Sequence, residues 1–408
     1  MESDKQIKVG ILKESKTPPD KRVPLSPHQC KEVIEKFPNV TLVVQRSEIR
    51  KYRDEDYSSL GITLVDDVSD CDILLGVKEV KLDKLISNKT YLFFSHTYKK
   101  QPYNANLLKT ILDKNIRLVD YEMIKNSKGK RLIGFGRYAG VVGMYNSIRA
   151  FGIKHKLFNL KQAYLCHDRQ EMEGELSKVK VPANTKIVLT GWGRVGHGAR
   201  EIMALLPFKE VSPAEFLSDI ITEPVFTHLK TGDYNKRKSD GEYDRNEFYT
   251  DPTGYVSVFP KYAVKADMYI ACHYWKDGSP FIFTREDMKS DQWSISVVGD
   301  ISCDIDGPVA STIRPSTIID PLYGYNPLTE KEDDYTQKGV IVVMAVDNLP
   351  CELPKDASED FGNELIKNVF PHLFNEDSDD VILNASETNL DGKLTAKYTY
   401  LQDYVDKK

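Results

Sequence analysis

The stretch Lys186-Ile187-Val188-Leu189-Thr190-Gly191-Trp192-Gly193-Arg194-Val195-Gly196 decides how the rest of the chain is read. A mainly apolar strand runs into G-x-G-x-x-G, a spacing that closes the strand with a tight turn and lets backbone approach a pyrophosphate. The final glycine lets the next helix pack on the sheet, with the positive end of its dipole toward the phosphates. Residues 197–205 continue with helix formers, and Ala199, Ile202, Met203 and Leu206 share one face. A ligand-free glycine turn has the same letters; the strand before it and the helix after it favour the dinucleotide reading. A whole domain's worth of chain precedes this run, so its position carries as much information as its letters.

With 408 residues the chain accommodates two domains, one of which it can enter twice. Hydrophobic residues at 40% and charged residues at 29% are ordinary for a globular protein. A net charge of −5 gives no basic excess and argues against nucleic acid as a partner. No apolar run approaches the about 20 residues of a membrane span, which argues against a membrane protein. The opening Met1-Glu2-Ser3-Asp4-Lys5 is polar and carries no signal-peptide core. The cysteines at 30, 71, 166, 272, 303 and 351 form no C-x-x-C pair. Together these features predict reduced thiols in a cytoplasmic protein with no structural metal. Oligomeric state is not legible.

Residues 7–12, 40–44, 71–77, 90–95 and 116–119 read as short buried strands, with helices near 27–37 and 103–114. That alternation predicts an α/β domain with a mostly parallel sheet. Small and apolar residues over 138–151 predict a closely packed helix between domains, and the Lys/Glu-rich residues 156–184 a surface excursion. After the fingerprint helix, residues 209–211 read as the second strand and residues 229–254 as a long solvated insertion. Strand signals return at 268–271, 295–298 and 340–345, the last two fitting central parallel strands. A helix over 360–374 precedes an acidic, polar end.

Polar clusters cap the apolar strands of the first domain. Lys13-Glu14 follows the first, with Arg22 shortly after; Lys78-Glu79 ends the third; His96 and Lys99 follow the fourth; Asp120-Tyr121-Glu122 follows the fifth. Residues beyond the carboxyl ends of strands line the ligand crevice of open α/β sheets. Converging cations there suit a substrate with several carboxylates. Taken singly, each is also what a solvated strand end looks like. An imidazole such as that of His96 can both give and take a proton, and a Lys among other cations has a depressed pKa, so both suit proton transfer. In the second half, Asp300, Asp304 and Asp306 follow one strand and Asp347 another, facing the nicotinamide end of a bound dinucleotide or, in the rival reading, a metal.

These pieces together resemble the alanine dehydrogenase/transhydrogenase superfamily: Lys13-Glu14 with Arg22-Val23-Pro24-Leu25-Ser26-Pro27, Val77-Lys78-Glu79, the strand-end His96, a central Rossmann motif, and Val346-Asp347-Asn348-Leu349-Pro350. Within it the chain is similar to the saccharopine dehydrogenase (L-lysine-forming) and lysine–ketoglutarate reductase family, on Lys89 through Thr97, Ile116 through Glu122, Phe135 through Val141 and Gly299 through Asp304. The resemblance covers nearly the whole chain. It implies two Rossmann-like domains with parallel sheets. Residues 1–136 and 351–408 would build the substrate domain, and residues 137–350 the dinucleotide-binding domain inserted between them.

It further implies a small-molecule substrate: saccharopine, interconverted with L-lysine plus 2-oxoglutarate by hydride transfer through an imine. Carried over by position, Lys78 is the base at the secondary amine and His96 the acid–base group for imine hydrolysis. Glu79 and Glu122 tune them. Lys13, Arg22, Lys99 and Arg131 hold substrate carboxylates or shape the local field. Gly191, Gly193, Arg194, Val195 and Gly196 hold the coenzyme, with Asp304 and Asp347 on its nicotinamide side. The coenzyme is NAD or NADP: an NAD-specific domain places Asp or Glu about 20 residues after the glycines, where this chain offers Glu210, Ser212 or Glu215 in an unfixed register. An alanine dehydrogenase-like enzyme is the nearest alternative, and a non-catalytic nucleotide sensor the alternative of another class.

Overall fold

A computed structural model describes residues 6–218, 221–377 and 379–406; the expected amino-terminal residues 1–5 lie outside them. The chain forms two compact units, one from residues up to Phe135 together with those from Pro354 onward, the other from Gly136–Leu353.

The first unit is built on β1 (Ile7–Ile11), β2 (Val40–Gln45), β3 (Thr63–Val65), β4 (Ile73–Leu75), β5 (Thr90–Phe93) and β6 (Arg117–Asp120), in the order β3-β2-β1-β4-β5-β6. Every pairing is parallel, so the sheet is wholly parallel. Its strands are apolar on both faces, as strands covered from both sides must be. Along β5, Tyr91 and Phe93 join Leu107, Ile111 and Leu118 on one face. Leu92, with Phe94 beyond the strand, joins Val9, Ile11, Phe361 and Leu365 on the other. The helix Pro354–Asn368 supplies the last two, so the returning segment covers a face that the first part of the chain leaves open. The strand order reverses between β1 and β4, and at that switch point the carboxyl ends of an open sheet leave a crevice.

The acidic end expected after residue 374 is more than a polar tail. Tyr398 and Leu401 are fully buried and pack with Leu108 and Tyr404. Ser386 bridges Val119 antiparallel, and Glu387 donates its amide to the Leu118 carbonyl at 2.8 Å, so residues 386–388 cover the free edge of β6.

The second unit carries β7 (Lys186–Thr190), β8 (Lys209–Glu210), β9 (Val225–Leu229), β10 (Asn235–Arg237), β11 (Tyr255–Ser257), β12 (Met268–Ala271), β13 (Val297–Asp300), β14 (Leu322–Asn326), β15 (Lys331–Asp333) and β16 (Ile341–Met344). Eight of them form one sheet, β15-β14-β16-β13-β12-β7-β9-β8, while β10 and β11 make a separate hairpin. From β16 to β8 all pairings are parallel; β14 and β15 add an antiparallel edge. The helix Gly136–Lys154 belongs to this unit and buries Val141, Met144, Tyr145 and Ile148.

One expectation is corrected here. The strand beside the fingerprint strand is β9, not residues 209–211. An inner strand is buried on both faces, and all of β9 is buried whereas both residues of β8 are exposed, which suits only an edge. Residues 230–254 are mostly exposed, as expected of a solvated insertion, but Leu229 ends β9, and Phe248 and Tyr243 pack on Tyr255 of the hairpin. Residues 156–184 run along the surface as expected, anchored by buried Leu160, Ala163, Met172 and Leu176.

Candidate functional site

In the first unit, β1, β4, β5 and β6 are consecutive neighbours, so the residues after their carboxyl ends form a row. Lys13 and Glu14 follow β1, Lys78 and Glu79 follow β4, His96 follows β5 and Glu122 follows β6. A hydrogen bond from the Phe94 amide to the Val77 carbonyl, 3.0 Å, carries the β4–β5 pairing to the residue before Lys78.

His96 adopts a left-handed backbone, φ 56°, which turns its ring back over the strand ends. Its Nδ1 is 3.1 Å from Glu122 Oε2 and its Nε2 is 3.9 Å from Glu79 Oε1. Glu122 is the hub: Lys99 Nζ lies 3.2 Å and Arg131 Nη1 3.3 Å from its carboxylate. Burial alone would raise its pKa, but His96, Arg131 and Lys99 outweigh that and hold it well below the usual carboxylate range. Glu79 accepts a hydrogen bond from Lys16 Nζ at 2.7 Å. Burial opposes the charge there too, and Lys16 with His96 overcomes it, so its pKa is lowered.

Glu14 is buried and accepts the amides of Val77, 2.7 Å, and Lys78, 3.0 Å, which fixes the strand end that carries Lys78. Burial, reinforced by Asp20, pushes its pKa up to about 7. Arg22 is 3% exposed, its guanidinium paired twice with Asp20 at 3.0 and 2.6 Å and lying 4.2 Å over the Phe135 ring. Burial opposes the Asp20 charge, yet Arg22 holds that pKa down at about 2. Lys13 is exposed, with its amide on Gln45. The structure thus gathers His96, Glu79, Glu122, Lys99 and Arg131, and sets Arg22 and Lys13 apart from them. Lys16, which no sequence pattern marks as a site residue, joins the cluster through Glu79, while Glu14 and the Asp20–Arg22 pair stand behind the strand end that carries Lys78.

In the second unit, Leu229, Thr190, Ala271 and Asp300 sit in register at the carboxyl edges of β9, β7, β12 and β13. Gly191 has φ 92°, and a Cβ there would stand 2.2 Å from the Cys272 carbonyl oxygen. At Gly196 a Cβ would stand 1.9 Å from the Gly191 oxygen. Gly193 caps the helix Arg194–Met203 without any side-chain bond, and open space surrounds the place its Cβ would take. A bare helix N-terminus behind a turn that tolerates no side chain suits a pyrophosphate, so the residues fit a dinucleotide.

His228, inside β9, donates its Nε2 hydrogen to the Gly191 carbonyl at 2.7 Å and stacks on Trp192 with ring centroids 4.2 Å apart. Burial, with Arg200 nearby, lowers its pKa to about 4, so it braces the glycine turn as a neutral ring. A lone histidine in an apolar strand next to a glycine turn was the available signal for it. Since β9 neighbours β7, the first residue beyond the end of the strand beside the fingerprint strand is Lys230. Lys230 borders one depression with Trp192, Glu210 and Ser212. Arg194 begins the fingerprint helix, with Val195 next to it. Asp304 and Asp347 follow β13 and β16, half-buried and exposed respectively. Asp300 is committed elsewhere: its oxygens accept the amides of Ser302 and Cys303 and the Thr312 hydroxyl.

Residues 10–142 match the family model described as alanine dehydrogenase/PNT, N-terminal domain. An alpha-aminoadipic semialdehyde synthase of Arabidopsis thaliana is 30% identical over 398 residues, covering 88% of this chain and 37% of its own length. The chain therefore spans well under half of that relative. A saccharopine dehydrogenase (NAD+, L-lysine-forming) of Emericella nidulans is 25% identical over 384 residues, covering 89% of this chain and 91% of its own. Among solved structures, an L-alanine dehydrogenase superposes with a TM-score of 0.64 at 16% identity, covering 98% of this chain and 99% of that one, a likeness of fold. Among the described residues no helix is long and apolar enough to cross a membrane.

Proposed function

The chain belongs to the alanine dehydrogenase/PNT superfamily, and on that premise we propose that it is an oxidoreductase that interconverts saccharopine with L-lysine and 2-oxoglutarate. The observation that carries the reading is the row Lys78, His96, Glu122 on adjacent strand ends, with Glu79 and Glu122 flanking one imidazole. Gly191, Gly193, Arg194, Val195 and Gly196 would hold a nicotinamide dinucleotide, with Asp304 and Asp347 beyond neighbouring strand ends, and that group would supply the hydride acceptor or donor.

The remaining work is proton transfer and orientation. Lys78 takes the proton of the secondary amine as saccharopine is oxidised to its imine. His96 removes a proton from the water that adds to the imine carbon. As the carbinolamine collapses, it returns a proton to the departing lysine nitrogen, which leaves 2-oxoglutarate. Imidazole suits this double duty because it both gives and takes a proton near neutrality. With its Nδ1 hydrogen on Glu122, Nε2 is left to do the exchange. Arg131 and Lys99, already at the rim of this cluster, orient substrate carboxylates, and Lys13 adds charge at the edge. Arg22, buried against Asp20, shapes the field from behind.

For the coenzyme we infer NADP(H). Lys230 follows the strand beside β7, and the next carboxylate, Asp233, accepts the Lys230 amide at 2.6 Å. A cation at that place suits a 2′-phosphate and an engaged carboxylate suits a ribose hydroxyl poorly. The deciding assay follows coenzyme oxidation with lysine plus 2-oxoglutarate, using NADPH and NADH in parallel and pyruvate plus ammonium as control. Turnover only with the control would favour the alanine dehydrogenase-like reading; oxidation of neither coenzyme in any mixture would favour a nucleotide sensor.

A further inference from the structure

The buried side of the Ser95-His96-Thr97 turn is filled by two carboxyl groups from distant parts of the chain. Asp120 ends β6, and Glu387 arrives with residues 386–388 along that strand's edge. Ser95, Thr97, Asp120 and Glu387 are all 0% exposed. Glu387 Oε2 lies 2.6 Å from Thr97 Oγ1, which lies 2.5 Å from Ser95 Oγ, and Ser95 Oγ is hydrogen-bonded in turn to Asp120 Oδ2.

Three oxygen–oxygen contacts in a line need three hydrogens, and two hydroxyls supply two. The third comes from a carboxyl group, since an unprotonated contact this short would set lone pair against lone pair in a dry pocket. The amide donors show which carboxyl keeps its charge. Asp120 accepts the Ser95 amide at 2.9 Å and the Glu122 amide at 2.6 Å, one on each oxygen. Glu387 accepts a backbone amide from Tyr98. Two donated amides favour the anion at Asp120.

We propose that Glu387 is a positioning residue for His96: as a neutral carboxylic acid it donates to Thr97, Thr97 donates to Ser95, and Ser95 donates to the Asp120 carboxylate. This locks both neighbours of His96 and with them its left-handed backbone. The same Asp120 holds the Glu122 amide, and Glu122 holds the His96 ring. One buried proton therefore sets both the backbone and the ring of His96. Burial raises the pKa of both Glu387 and Asp120, as one shared proton requires, and the amide donors place that proton on Glu387. The proposal rests on the reading of His96 as the acid–base group.

The test compares Glu387→Gln, Glu387→Ala and Asp120→Asn in the full chain. Glutamine keeps an N–H for Thr97, so kcat should stay within about threefold of the parent. Alanine and Asp120→Asn should lower kcat by about tenfold or more, with KM for 2-oxoglutarate little changed. A tolerated Asp120→Asn beside a crippled Glu387→Gln would overturn the proposal. Infrared difference spectra of the substrate-free protein give a second readout that survives a misfolded alanine variant. Glu387→Gln should remove a protonated-carboxyl band at neutral pH; removal of carboxylate bands instead would overturn the proposal. The spectrum involves no substrate, so failure of the proposed reaction in the assay would leave it standing and strike that reaction alone.

Discussion

His96 Nδ1 faces Glu122 Oε2 at 3.1 Å, and the same carboxylate is ringed by Lys99 and Arg131. A carboxylate held ionised by three partners is a fixed acceptor, so it fixes the imidazole tautomer with hydrogen on Nδ1. Glu122→Gln keeps the shape and offers an amide in place of that charge. Turnover should fall about ten- to a hundredfold while coenzyme affinity holds. Steady-state kinetics beside a calorimetric coenzyme titration would check both halves.

Lys78 is the residue on which the amine chemistry turns. Lys78→Met preserves a long chain without the ammonium, and turnover should drop about a hundredfold or more. Near-normal rates would remove Lys78 from the role of base.

Coenzyme choice should follow β9. Lys230→Asp sets a carboxylate where the 2′-phosphate reading needs a cation, and should shift relative affinity toward NADH by about tenfold or more, worth about 1.4 kcal/mol. Titrating each coenzyme against Trp192 fluorescence reads this without turnover. An unchanged ratio would show that Lys230 does not select.

Gly196→Ala places a methyl group where the Gly191 carbonyl oxygen stands 1.9 Å away. The turn must open, and coenzyme binding should weaken more than tenfold, or about 1.4 kcal/mol. Direct titration tests this, with circular dichroism confirming that the variant is folded.

Glu14 gives a pH signature. Burial lets the folded chain hold this proton up to about pH 7, above the ordinary range for a glutamic acid. The folded state is therefore favoured at about pH 5, and that advantage fades as pH rises through 7, by about 3 kcal/mol in all. Glu14→Gln lacks the titration. Its melting temperature should lie furthest below that of the parent at about pH 5, and the gap should narrow toward pH 8. A constant gap would contradict the buried proton.

Much of this was legible in the sequence, for a reason that also marks where legibility stops. Strands such as β1, β4 and β5 are largely apolar because both faces are covered, and the residues after them, with those after β6, form the row from Lys13 to Glu122. The inner strand β9 was passed over because Thr227 and His228 interrupt its apolar run. Both are buried, the histidine because it braces Gly191. The exposed pair Lys209 and Glu210 looked like the strand in its place. Lys16 and Glu387 reach the His96 region from a loop and from the far end of the chain, and no local pattern announces a partner over such separations.

The helix Pro354–Asn368 and the edge segment 386–388 complete a unit whose strands are made first. During synthesis, then, the chain emerges in an order its architecture does not follow. β1 to β6 leave the ribosome with one face and one edge bare, and must wait while all of residues 136–353 are translated. The later-born Rossmann unit has all its parts in hand before the earlier one does. The His96 turn is among the last features to set, because its buried proton arrives with residue 387.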